Sequence, residues 1–198
     1  MGFGIGRAVT LSDALLEVHS LEAGYAAPVV GPVSLHVDPG EIIGLVGPNG
    51  SGKSTLLKAI ANHVRIFKGE IWCNPSATIA WMDQRPVRLP EMPFDGWEYL
   101  HYAAATGEPP PPHLQGWLDQ RVDSLSGGQF QLLRCWTALG TDADLVLLDE
   151  PTNNLDRKSE EILMEVLTRE FEERSVLVVS HDGAFLERVC DRVIGVGT

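Results

Sequence analysis

Residues 47–55 read GPNGSGKST, a lysine and two hydroxyls set behind glycines. Those types at that spacing suit the binding of a nucleotide's phosphates. Gly47, Gly50 and Gly52, with Pro48, Asn49 and Ser51 between them, let backbone N–H groups turn inward around an anion. A helix starting near Lys53 would point its positive end at the same place. Lys53 is expected to reach the β- and γ-phosphates and Ser54 to ligate Mg²⁺, with Thr55 completing the loop. A bare glycine turn is the alternative. It is disfavoured because the stretch follows an apolar run, EIIGLVG, and precedes a helical stripe.

Two further stretches carry chemistry. LVLLDE, residues 145–150, is a buried-strand pattern that delivers Asp149 to its carboxyl end, where ligands of α/β sheets bind. Asp149 there would hold Mg²⁺. Glu150 would polarise a water for attack on the γ-phosphate. LSGGQ, residues 125–129, places Ser126, Gly127 and Gly128 at the start of an apolar helix, a second anion-ready terminus far along the chain from the first. One chain thus holds two phosphate loops.

The elements that must position these residues alternate. LLEVHSLEAGY from Leu15 reads as a strand, and VVGPVSLHVDPGE alternates at Val33, Leu35 and Val37 before the Pro39-Gly40 turn. Leu56, Leu57, Ile60, Ala61 and Val64 form a helical stripe, and GEIWC and ATIAWM read as strands. From Arg85 the text becomes rich in proline and aromatics. It is read as a small, partly helical insertion at about 85–135 within a single domain spanning 1–198. Pro109 to Pro112 lack the N–H that a helix interior needs and form a stiff connector. After LSGGQ, helices and strands alternate: SEEILMEVLTREFEE, SVLVVSH, AFLERVC and DRVIGVG. That order argues for a mostly parallel sheet covered on both faces.

Composition narrows the function classes. With 198 residues, 44% hydrophobic and 21% charged, the chain is of globular type, and no apolar run approaches the length of a membrane span. A formal charge of −12 disfavours nucleic acid as a partner. Cys73, Cys135 and Cys190 are odd in number and lack metal spacing, which fits reduced thiols in a cytosolic setting.

In order along the chain stand Tyr25 in AGY, GPNGSGKST, Gln84 in WMDQ, LSGGQ, LVLLDE, PTNNLD and VSH. By these motifs the chain resembles the nucleotide-binding domain of ATP-binding cassette (ABC) proteins, from about Leu15 to Gly195. The resemblance implies an α/β P-loop NTPase fold of ABC type, with an antiparallel N-terminal β part and a small helical subdomain. It implies an ATPase using ATP and Mg²⁺, in which two cassettes stack head to tail. The LSGGQ loop of one then covers the nucleotide held by the phosphate loop of the other, so two distant loops become one site. Tyr25 would stack on adenine. Gln84 would touch Mg²⁺ or the attacking water, and His181 would contact the γ-phosphate. Ser126, Gly127, Gly128 and Gln129 would meet the partner's nucleotide, and Asp156 would lie in the dimer interface. The partners implied are a second copy or a homologous cassette and separate transmembrane permease subunits, with the cassette peripheral on the cytoplasmic face. The stretch LPEMPFDGWEYL after Gln84 is similar to that of metal-import ATPases. EPTNNLD and SHDGAFLERVCDRV are similar to soluble, ribosome-associated F-type proteins, the alternative role. A clamp that binds ATP without hydrolysing it is disfavoured by Glu150 and His181. The chain departs from the family at Leu132 and Thr137, where arginines are common, so the ion pairs those arginines would make are absent or replaced by Arg134.

Overall fold

The computed structural model describes residues 14–84, 92–107, 109–169 and 174–197. Along them run β1 (Leu16–Gly24), β2 (Pro28–Val37), β3 (Ile42–Val46), α1 (Lys53–Ile60), β4 (Arg65–Cys73), β5 (Ile79–Met82), α2 (Gly96–Tyr102), α3 (Pro112–Gln115), a 3₁₀ turn (Val122–Ser124), α4 (Gly127–Leu139), β6 (Leu145–Asp149), α5 (Arg157–Arg169), β7 (Ser175–Val179), α6 (Gly183–Val189) and β8 (Arg192–Gly195).

The short apolar strands form one five-stranded sheet in the order β5-β6-β7-β3-β8, and all its pairings are parallel. Period-2 alternation sends their side chains to two different cores. Val146, Leu148, Val176 and Val178 face a core shared with α4, α5 and α6. Leu145, Leu147, Leu177, Val179, Ile43 and Leu45 face a core shared with α1 and a second sheet. Each such fully buried side chain contributes about 1.5–3 kcal/mol relative to exposure, so both faces of the sheet must be covered. That second sheet is antiparallel, in the order β2-β1-β4. The expected mostly parallel sheet with an antiparallel N-terminal part is therefore present.

Three details differ from the sequence reading. The stripe ending at Val64 outruns its helix: α1 stops at Ile60, Ala61 caps it, and Asn62 adopts a left-handed φ of 60°. Asparagine tolerates that conformation at a helix C-terminus, while Ala61 and Val64 still pack on the core from outside the helix. β4 begins at Arg65 rather than at Gly69, because its pairing with β1 runs from Gly24–Arg65 to Leu16–Cys73. Pro112 is not confined to a connector. It opens α3 in the first turn, where a missing N–H costs nothing.

Between β5 and β6 lie α2, α3, the 3₁₀ turn and α4. Leu100, Leu114, Leu118 and Val122 join Phe130 and Leu133 of α4 in one core. Part of the anticipated insertion, residues 85–91 and 108, lies outside the described residues. No helix among the described residues is long and apolar enough to cross a membrane.

Candidate functional site

The loop between β3 and α1 owes its shape to two glycines. Gly47 has φ 153°, and a Cβ there would lie 2.3 Å from the Val196 carbonyl oxygen. Gly52 has φ 94°, and a Cβ there would lie 2.5 Å from Val30 Cβ. The first brings the loop against the end of β8, the second against β2, and no larger side chain fits either approach. Lys53, at the start of α1, is buried, and its ammonium donates to the Gly47 and Pro48 carbonyls at 2.8 and 3.1 Å.

Strand β6 brings two carboxylates to the same place. Ser54 Oγ donates to Asp149 Oδ1 at 2.9 Å. Asp149 Oδ2 is buried and has no hydrogen-bond partner among the described residues. Burial pushes the Asp149 pKa up to about 6, the Ser54 hydrogen bond opposing and the nearby Asp83 and Glu150 charges adding to the rise. A hydroxyl and an unpartnered carboxylate oxygen side by side are the hard oxygen donors that Mg²⁺ takes. The residues present thus fit that ion.

Glu150 follows with a left-handed φ of 55°, its N–H donating to the Val179 carbonyl at 2.9 Å. This bend leaves the strand and turns the carboxylate toward the end of β7. There His181 Nε2 lies 2.9 Å from Glu150 Oε1, and the His181 N–H donates to Oε2 at 3.3 Å. Burial raises the Glu150 pKa, with the His181 and Lys53 contacts working against it.

Lys53, Ser54, Glu150 and His181 line one cavity of about 420 Å³, together with Val29, Asn49, Gly50, Gly52, Thr55 and Gln84, and Asp149 is fully buried, outside that lining and joined to it through Ser54. Gln84, on the loop after β5, is thereby brought to Lys53 and Glu150, far apart as they are in sequence. Tyr25 is not in the lining; it is 58% exposed on the turn between β1 and β2. Gly47, Pro48 and Ser51 shape the loop from behind.

Ser126 to Gln129 also stand apart from this cavity. Ser126 caps α4: its Oγ accepts from the Gln129 N–H at 3.2 Å, and Gln129 Oε1 accepts from the Ser126 N–H at 2.9 Å. This reciprocal cap leaves the Gly127 and Gly128 N–H groups without a partner among the described residues. A Cβ on Gly128 would lie 3.4 Å from Ser159 Oγ and 3.6 Å from the Asn154 carbonyl oxygen, so the segment carrying Asp156 packs beside this terminus. Asp156 itself is exposed and accepts from the Ser159 N–H at 2.8 Å.

Sequence patterns missed Val29, whose only signal is an apolar residue exposed on β2 beside the loop. They also missed the part played by Gln131, which is buried and donates from Nε2 to the Glu150 and Pro151 carbonyls at 3.3 and 3.1 Å. Leu132 is buried in the core, Thr137 bonds the Arg134 carbonyl, and the Arg134 guanidinium donates to the Gln131 side chain and the Asp83 carbonyl.

Residues 30–153 match the family model described as ABC transporter. The chain is 36% identical over 186 residues to the zinc import ATP-binding protein ZnuC of Paracoccus denitrificans, covering 88% of this chain and 72% of that protein. It is 29% identical over 190 residues to a probable ABC transporter ATP-binding protein of Cyanophora paradoxa, covering 84% and 78%. A solved structure of the ATP-binding subunit of an ABC transporter superposes with a TM-score of 0.78 at 28% identity, over 91% of this chain and 85% of the other. The phosphate loop, the paired carboxylates and these matches lead to one conclusion: the chain belongs to the ABC transporter family, as an ATP-binding subunit with ATPase activity.

Proposed function

We propose that two such cassettes close head to tail around ATP and so drive separate membrane permease subunits from the cytoplasmic face. The partner is a second copy or a homologous cassette. The observation that carries this reading is the start of α4. Its Gly127 and Gly128 N–H groups and the Ser126 hydroxyl proton form an anion-binding set, yet the cavity of Lys53 lies elsewhere. A γ-phosphate presented by another protomer would complete it.

In that assembly Tyr25 stacks on adenine, and residues Gly47 to Thr55 wrap the phosphates. Lys53 exchanges its carbonyl partners for β- and γ-phosphate oxygens. Ser54, Asp149 and Gln84 hold Mg²⁺, which when bound neutralises charge on the phosphates. Glu150 accepts the proton of the attacking water. His181 holds the Glu150 carboxylate in place and contacts the γ-phosphate, and Asp156 crosses the interface. Loss of the shared phosphate then loosens the pair.

For cargo, likeness to relatives named as zinc importers supports zinc or a similar divalent metal. Zinc uptake by cells carrying the Lys53→Ala variant tests this: uptake at the normal rate would remove the chain from metal import. Size-exclusion chromatography of Glu150→Gln with and without ATP tests the dimer. A shift to twice the mass with ATP is expected, and a monomer at saturating ATP would overturn the assembly.

A further inference from the structure

A buried chain of hydrogen bonds runs across the carboxyl ends of β5 and β6, and none of the motif residues explains it. Arg134, in the second turn of α4, is buried and carries a guanidinium with no carboxylate partner among the described residues. It donates to Gln131 Oε1 at 2.8 Å and to the Asp83 carbonyl, the peptide oxygen immediately before Gln84. Gln131 passes the link on by donating to the carbonyls of Glu150 and Pro151. An arginine placed there costs desolvation, and burial lowers its pKa below the ordinary value. Leu132 on the same helix is buried in the core, and Cys135 makes only a long contact, its Sγ donating to the Pro151 carbonyl at 3.9 Å. Packing alone would have favoured a leucine at 134.

We propose that Arg134 is a positioning residue for hydrolysis: through Gln131 it locks the backbone at Glu150 to the backbone at Gln84, so that the two groups flanking the attacking water keep one spacing. The guanidinium suits this task because its planar fork reaches two acceptors in fixed directions, which a lysine cannot do. Gln131 suits it because an amide accepts at one end and donates at the other. The same helix begins at Ser126, so whatever seats that end bears on the spacing as well. The proposal rests on the roles given above to Gln84 and Glu150.

Three single variants and one double variant test it, each measured for thermal midpoint, ATP affinity and the pair kcat and KM. Arg134→Met removes the fork without leaving a buried charge. Gln131→Glu keeps shape and gives Arg134 a counter-ion, but takes the donor away from the Glu150 and Pro151 carbonyls. For both, kcat is expected to fall on the order of 10–100-fold, as misplacement of reacting groups does, while ATP affinity and KM change by less than about 3-fold. The double variant is expected to be no slower than the worse single one, since the two residues act as one link. Arg134→Lys, able to satisfy one acceptor at a time, is expected to fall between wild type and Arg134→Met. Should Arg134→Met fail to fold, Gln131→Glu and Arg134→Lys decide. A wild-type kcat in folded Gln131→Glu, or an equal loss of ATP affinity and kcat, would overturn the proposal. Glu150→Gln in parallel separates the two failures: if it also turns over normally, the assignment of Glu150 is at fault rather than the link.

Discussion

The side chains of Glu150 and His181 are locked together at 2.9 Å, the carboxylate 2% exposed and the imidazole 53% exposed. A buried carboxylate is thus held under an imidazole that solvent can reach. Burial makes the carboxylate a stronger base than an exposed glutamate, and the imidazole keeps it aimed.

Glu150→Gln keeps the shape and loses the basicity. Turnover should fall by roughly 10²–10⁴-fold while ATP binding persists. Single-turnover hydrolysis beside an equilibrium ATP titration checks both halves. A wild-type rate would remove Glu150 from proton transfer.

Lys53→Ala acts earlier. The ammonium now satisfies the Gly47 and Pro48 carbonyls, and in the complex it would satisfy phosphate oxygens. Losing a charge-assisted contact costs about 1.5–3 kcal/mol, so ATP should bind roughly 10–100-fold more weakly. Calorimetric titration measures this directly, and unchanged affinity in a folded protein would exclude the role.

Ser126→Arg should leave ATP binding by the isolated cassette intact and block closure. Mixed with Lys53→Ala, it makes the sharper test. In a mixed pair the damaged α4 start faces the damaged phosphate loop, which leaves the opposite site whole. ATPase activity above the sum of the separate variants is expected. With mixed pairs demonstrated by mass, activity equal to that sum would count against sites shared between protomers.

Asp149 carries the pH dependence. Its folded pKa of about 6 stands above the ordinary carboxylate value of 3.8. A raised folded pKa favours the protonated native state. Its contribution to the stability of the nucleotide-free chain is therefore full below 3.8 and lost as pH rises through about 6. Mg²⁺ needs the ionised form, so Mg²⁺ affinity in the presence of ATP should weaken about tenfold per pH unit below 6. Asp149→Asn, with no proton to lose, supplies the reference for protonation of the nucleotide itself. Identical pH profiles for the two proteins would show that Asp149 holds no metal.

What was legible in the sequence was local. GPNGSGKST had to follow a strand and open a helix, and β3 and α1 do flank it. LVLLD reads as a strand buried on both faces, and β6 is one. What escaped was set by partners distant in the chain. The start of β4 at Arg65 is dictated by Gly24 of β1, and the place of Val29 in the cavity by the approach of Gly52 to β2. Arg134 drew notice only as a possible replacement for arginines missing at 132 and 137; its bond to the Asp83 carbonyl joins residues 51 positions apart, and no helical or strand period encodes that. The left-handed backbone at Glu150 was equally hidden, since a glutamate gives no hint of positive φ.

The close seat of Gly52 on Val30 carries a thermodynamic consequence. The phosphate loop cannot hold its shape unless β2 stays in place, so prying β2 away would release the nucleotide. Binding and local unfolding are then linked by mass action, and ATP at a hundredfold excess over its Kd should add about 2.7 kcal/mol to the cost of that opening. The backbone amides of β2 should exchange with deuterium roughly a hundredfold more slowly once the site is filled.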